Sequence, residues 1–216
     1  MNLKNEYIKL TPDSRLYNTP IPLIGLTGGI ATGKSTVSSL FKKKGIALID
    51  ADKLVKEVYA LPASIKMIKE KYPDVISDHK IQFPLLREKF FKNPNVKSSI
   101  ETYIYAHLPD IFNQKLKSLG PQAFVVYDVP LLFEKNMEHL FDLTVLVYCR
   151  KETQITRLMS RDGITEDMAN TILSHQMDIE EKRKKADMII ENDQELTELE
   201  TEIEKTLKKL GIYQRS

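Results

Sequence analysis

The chain has 216 residues, 42% hydrophobic and 29% charged, and 32 Lys+Arg against 30 Asp+Glu give a net charge of +2. That is enough apolar material for one packed domain, or one with a large insertion; it excludes a wholly disordered chain, and the near-neutral balance argues against a dedicated nucleic-acid binder. A lone Cys149, no apolar run near the ~20 residues of a membrane span, and a polar first twenty residues without a hydrophobic leader point to a soluble, cytoplasmic chain with no membrane partner.

Residues 1–20 are polar and mixed, with Pro12 and Pro20, and read as an N-terminal arm, free to fray, ahead of the domain. Ile21-Pro22-Leu23-Ile24-Gly25-Leu26-Thr27 then forms an apolar run that suits a buried parallel strand. A helix follows over 34–44, with Val37, Leu40 and Phe41 on one face and Gly45 as its stop. Ile46-Ala47-Leu48-Ile49, ending in Asp50-Ala51-Asp52, is a second strand, so the opening is a βαβ unit. Residues 53–120 hold little strand-like sequence, and their helix candidates include 63–72, 84–92 and 94–118 between prolines. They read as a helical insertion, about 60–120. Strands resume at 123–128 and 143–148, helices at 151–161 and 165–185, then a short strand at 188–190. An amphipathic helix over 194–210 closes the chain. The fold class is therefore α/β, a parallel sheet flanked by helices over 21–213.

Gly28-Gly29-Ile30-Ala31-Thr32-Gly33-Lys34-Ser35 matches G-x-x-x-x-G-K-[ST], the P-loop. Glycines let successive N–H groups point into one concavity, and the helix that follows adds its N-terminal dipole. Lys34 is expected to stand exposed until it reaches the β and γ phosphates of ATP, while the Ser35 hydroxyl holds Mg²⁺. No N-K-x-D element is present to read guanine. A small chain with a helical insertion after its second strand has the layout of a kinase for a nucleotide-type acceptor.

The segments 24–30, 33–37 and 49–52, then Tyr127-Asp128-Val129-Pro130-Leu131-Leu132-Phe133-Glu134, resemble the dephospho-CoA kinase family. So do Gln154-Ile155-Thr156-Arg157-Leu158 with Arg161-Asp162, and Ala186-Asp187 leading to Asn192, in the family's order over about residues 23–210. The resemblance implies a P-loop core with an acceptor-binding insertion and a lid, about 151–176. It implies phosphorylation of the ribose 3′-hydroxyl of dephospho-CoA by ATP with Mg²⁺, by a monomer or weak homo-oligomer. Ala31 and Thr32 stand where the family usually has Gly and Ser, and the family's acceptor-domain His-Pro pair falls near Tyr105-Ala106, with His107 and Pro109 just beyond.

On that resemblance, Asp52 is the base for the acceptor hydroxyl, while Asp50 is either a second acid or a helix cap. Asp128, at a strand end, is a Mg²⁺ carboxylate. Gly28, Ala31, Thr32, Gly33, Lys34, Ser35 and Thr36 form the phosphate cradle. Gln154, Arg157 and Arg161, at i, i+3 and i+7, share a helix face, with Ile155, Leu158 and Met159 on the other. Arg157 then belongs to the nucleotide site, and Arg161 can put positive charge on the transferred phosphoryl group, as Lys34 does. Asn192 is an adenine contact. His79, His107, His139 and His175 have no metal spacing, and Lys182-Arg183-Lys184-Lys185 reads as a helix C-terminal charge cluster rather than a nucleic-acid patch. The alternatives are another P-loop kinase of nucleosides or nucleotides, or a non-kinase ATP switch.

Overall fold

The computed structural model describes residues 1–78 and 80–212. In chain order the elements are β1 (Leu23–Gly28), α1 (Lys34–Lys43), β2 (Leu48–Asp50), α2 (Ala51–Ala60), α3 (Pro62–Lys71), β3 (Ile76–Ser77), β4 (Lys80–Ile81) and α4 (Phe83–Lys92). There follow α5 (Pro94–Ser118), β5 (Val125–Asp128), β6 (Leu143–Tyr148), α6 (Lys151–Asp162), α7 (Glu166–Leu173), α8 (Ile179–Lys185), β7 (Met188–Glu191) and α9 (Leu196–Leu210). They form two compact units: Met1–Asp50 with the described residues from Leu119 onward, and Ala51–Ser118.

The first unit is built on a parallel five-stranded sheet in the order β2-β5-β1-β6-β7. Every residue of β1, β5 and β6 is buried, which is why these segments read as unbroken apolar runs rather than alternating ones. On one side, Val37 and Phe41 of α1 and Leu199, Ile203 and Leu210 of α9 join Ile24, Leu26, Val126, Val145 and Ile190 of the strands in one core. Register sets Leu26 beside Asp128 and Asp50 beside Asp128, so the two acids end adjacent strands at the carboxyl edge of the sheet. Ligands of open α/β sheets bind at that edge.

Residues 1–20 pack on the first unit. Leu3 lies in the core, and Lys4 N–H donates to the Leu210 carbonyl at 3.0 Å. Arg15, 5% exposed, reaches the fully buried Asp142, with Nε–Oδ2 at 2.6 Å and Nη2–Oδ1 at 3.2 Å. The backbone N–H groups of Lys9, Leu10 and Leu23 donate to the same carboxylate. The sequence hid this anchor because an arginine in a polar stretch looks like any solvated charge.

The helix expected over 165–185 is two helices. Thr165 caps α7 by accepting from Met168 N–H, and Asp178 caps α8 by accepting from Glu180 N–H at 2.8 Å. Asp178 with Glu181 three residues on was the legible sign of the break.

The second unit is helical. Its long α5 packs on α2 and α4, and Leu54, Val58, Leu86, Ile100 and Ile104 of these helices are buried. Pro62 and Pro94 sit at helix starts, where their missing N–H costs nothing, whereas Pro109 lies inside α5. The β3–β4 hairpin pairs Ile76 with Ile81 and Ser77 with Lys80, too short to show in the sequence pattern. Phe83, Leu85, Phe91 and Tyr105 are exposed. Among the described residues no helix is long and apolar enough to cross a membrane.

Candidate active site

The β1–α1 turn is a loop whose carbonyls are held by side chains, most of them from other elements. Lys182 Nζ donates to Gly28 O, the Thr32 hydroxyl to Gly29 O, Gln154 Nε2 to Ile30 O and Asn192 Nδ2 to Thr32 O, at 3.3, 2.9, 2.5 and 2.7 Å respectively. Gly33 O receives the N–H groups of Thr36 and Val37, the first turn of α1. Ile30 N–H is taken by Gln176 Oε1 at 3.1 Å. Gly33 has φ 86°, and a Cβ there would lie 2.1 Å from Asn192 Nδ2, so only glycine fits. Ala31 also sits in the left-handed region, at φ 60°, which explains why glycine suits that position better.

Lys34 opens α1 and forms an ion pair with Asp128, whose other oxygen accepts the Ser38 hydroxyl at 2.6 Å. Its side chain is only 18% exposed, so the expectation of an exposed ammonium is corrected. The opposite charge ending the neighbouring strand claims it. Ser35 and Thr36 are exposed on the first turn. Asp128 is buried, and Asp50 beside it is half-buried.

On α6, Gln154 and Leu158 are buried, Arg157 is half-buried, and Met159 and Arg161 are exposed. The expected faces were therefore misdrawn: the buried stripe runs through Gln154 and Leu158 at i, i+4, because the loop carbonyl at Ile30 gives a glutamine a buried partner. Arg161 binds the Asp162 carboxylate with two hydrogen bonds of 2.8 Å. Arg157 lines a groove of about 630 Å³ with Arg150, Thr153, Asp193, Gln194 and Glu198. Its Nη1 is buried with no hydrogen-bond partner among the described residues. Nearby, burial pushes the Cys149 thiol up to about 11, only partly offset by Arg157. Cys149 is thus a packed thiol rather than a nucleophile.

Asn192 is 7% exposed, and its amide nitrogen serves the loop, a bracing role that sequence alone did not suggest. The basic run 182–185 forms the last turn of α8, as the helix-end reading expects, but Lys182 within it is completely buried and pairs with Glu134 at 2.7 Å.

In the helical unit, Asp52 is exposed in the first turn of α2. His107 Nδ1–H donates to the Tyr103 carbonyl at 2.8 Å and its ring stacks on Tyr103. His79 lies outside the described residues, as does Tyr213 at the end of the expected kinase span. No group of three or more His, Cys, Asp or Glu able to hold a metal ion occurs among the described residues.

The family model described as dephospho-CoA kinase matches residues 22–198. The chain belongs to the dephospho-CoA kinase family. A dephospho-CoA kinase of Bacillus cereus is 36% identical over 196 residues, covering 88% of this chain and 98% of the relative. One from Arabidopsis thaliana is 35% identical over 190 residues, 86% of this chain and 82% of the relative. Among solved structures, a Thermus thermophilus protein superimposes with a TM-score of 0.77 at 28% identity, covering 88% of this chain and 98% of the other. A dephospho-CoA kinase from Campylobacter jejuni does so with a TM-score of 0.64 at 26% identity, covering 87% and 96%. Family membership makes this chain a P-loop kinase, an ATP-dependent phosphotransferase that acts on dephospho-CoA in coenzyme A synthesis.

Proposed function

We propose that the chain transfers the γ-phosphoryl group of ATP to the ribose 3′-hydroxyl of dephospho-CoA, with Asp52 as the base that receives the hydroxyl proton. The observation that carries this reading is the phosphate loop. Its carbonyls are turned outward onto fixed donors, so the loop and the start of α1 are preset for an anion. Lys34 leaves one anion, Asp128, for another, the β and γ phosphates. That exchange keeps the ammonium paired throughout and frees Asp128 as ATP arrives.

The Ser35 hydroxyl and the carboxylates of Asp128 and Asp50, which end adjacent strands, are oxygen ligands, which suits a hard cation such as Mg²⁺. Ser35 and Asp128 would hold it, and it would supply positive charge for the phosphate oxygens. Gly28, Ala31, Thr32, Gly33, Ser35 and Thr36 enclose the phosphates. Arg157, with an unspent buried N–H beside the groove, and Asn192 face the rest of the nucleotide. Arg161 gives up Asp162 to stabilise charge on the transferred group. Asp52 follows the sheet's carboxyl edge by two residues and is exposed, which supports its assignment over the strand-bound Asp50. The helices of residues 51–118 receive the acceptor. A single, buried Cys149 supports action in the reducing cytoplasm.

The test is ADP release with ATP and Mg²⁺ in the presence of dephospho-CoA, AMP or no acceptor. Release is expected with dephospho-CoA, and an equal rate with AMP or without acceptor overturns the reading. Asp52→Asn is expected to lower kcat by ~10²–10⁴ with little change in ATP affinity, the size of a general-base contribution. A larger loss in Asp50→Asn would transfer the role to Asp50.

A further inference from the structure

Lys182 sits on α8 with 0% exposure, and a buried ammonium is tolerated only when paired and hydrogen-bonded. It has both partners: Glu134 Oε1 at 2.7 Å and the Gly28 carbonyl at 3.3 Å. Glu134 Oε1 also accepts from Met177 N–H at 3.2 Å, while Oε2 is buried with no hydrogen-bond partner among the described residues. A buried pair with an orphaned oxygen is a poor source of stability, and apolar residues of the same volume often do as well or better. The pair's worth therefore lies in what it holds.

What it holds is the phosphate loop. Gly28 ends β1, where the chain leaves the sheet, and the direction of its carbonyl fixes the plane of the Gly28–Gly29 peptide. From the same cluster, residues 176 and 177, between α7 and α8, are tied in: Gln176 to Ile30 N–H and Met177 to Glu134. We propose that Lys182, neutralised by Glu134, is a positioning residue of the kinase: it presets the first peptide of the phosphate loop and fastens the α7–α8 connection to that loop. This rests on the reading of the loop as the ATP site.

Lys182→Met removes the ammonium and keeps the stem. The double variant Lys182→Met with Glu134→Leu also removes the stranded carboxylate and restores stability if the single variant is too weak to fold. KM for ATP is expected to rise at least fivefold in the double variant, with KM for dephospho-CoA within twofold of the parent and a melting temperature close to it. A parent-like KM for ATP in that well-folded variant overturns the proposal and makes the pair structural. An equal rise in KM for both substrates overturns it too, since general loosening then explains the effect. Lys34→Ala is assayed alongside. Undiminished turnover there would overturn the phosphate-loop reading itself, a result separable from failure at Lys182.

Discussion

The loop that leaves β1 at Gly28 and residues 1–20 both lie outside the α-helices and are tied to the first unit by buried polar side chains, and they differ in how the anchors are shared. Around the loop, Lys182, Thr32, Gln154 and Asn192 each take a different carbonyl, from α8, the loop itself, α6 and the end of β7. In the N-terminal segment, Arg15 and the N–H groups of Lys9, Leu10 and Leu23 converge on one carboxylate, Asp142. Distributed anchors fix a shape in detail and tolerate the loss of one. A convergent anchor holds a segment in place and fails all at once.

The convergent anchor should give the largest effect. Arg15→Met leaves a buried carboxylate without its counter-ion, which costs about 3–5 kcal/mol, measured by denaturant or thermal unfolding at pH 7. Burial by itself raises the Asp142 carboxyl, but Arg15 and the Leu23 and Leu10 N–H groups outweigh it and hold the group below its usual value. Stability from such a group is present above the unfolded value of about 4 and is lost as pH falls through the lower folded one. In Arg15→Met that advantage is gone, so the deficit against the parent should shrink below about pH 4. A deficit under ~1 kcal/mol at pH 7, or one that grows on acidification, would break the contrast between the two kinds of anchor.

A single loop anchor should cost less. Asn192→Ala strands the buried Thr32 carbonyl, an expected loss of about 1–3 kcal/mol, with the remaining donors holding the loop. The sharper reading is in function: the stabilisation of the melting temperature by ATP should fall, because the loop's shape near Gly33 is what Asn192 maintains. Collapse of the fold on the scale of Arg15→Met would show that the loop, too, hangs from one group.

Legibility in the sequence follows the same division. Strands β1, β5 and β6 were readable because burial on both faces demands unbroken apolar runs, and the loop because glycines and Lys34 fall at fixed spacing. Lys182, Asn192, Gln154 and Arg15 were not legible as anchors: each is a polar residue in a polar context, and only the fold brings its partner from far along the chain. The same holds for Lys34, whose partner Asp128 was expected at its strand end but as a metal carboxylate alone. Periodicity reports burial by face: it placed α6 at the right residues but misdrew its faces, because a buried glutamine counts as polar.

The smallest predicted effect tests whether the loop's shape is imposed on its residues. Ala31 has φ 60°, and a left-handed conformation costs a residue with a Cβ about 1–2 kcal/mol. Glycine would remove that cost while giving the unfolded chain more freedom, a penalty of about 0.5–1 kcal/mol. Ala31→Gly should therefore stabilise the chain slightly, by up to about 1 kcal/mol, seen as a small rise in melting temperature. ATP affinity should change little, because the flanking carbonyls at Ile30 and Thr32 remain held by Gln154 and Asn192. If melting instead falls, the alanine methyl contributes packing that outweighs its strain. If ATP affinity falls with it, the outer hydrogen bonds alone do not set the loop, and the stiffness of Ala31 is one of its anchors.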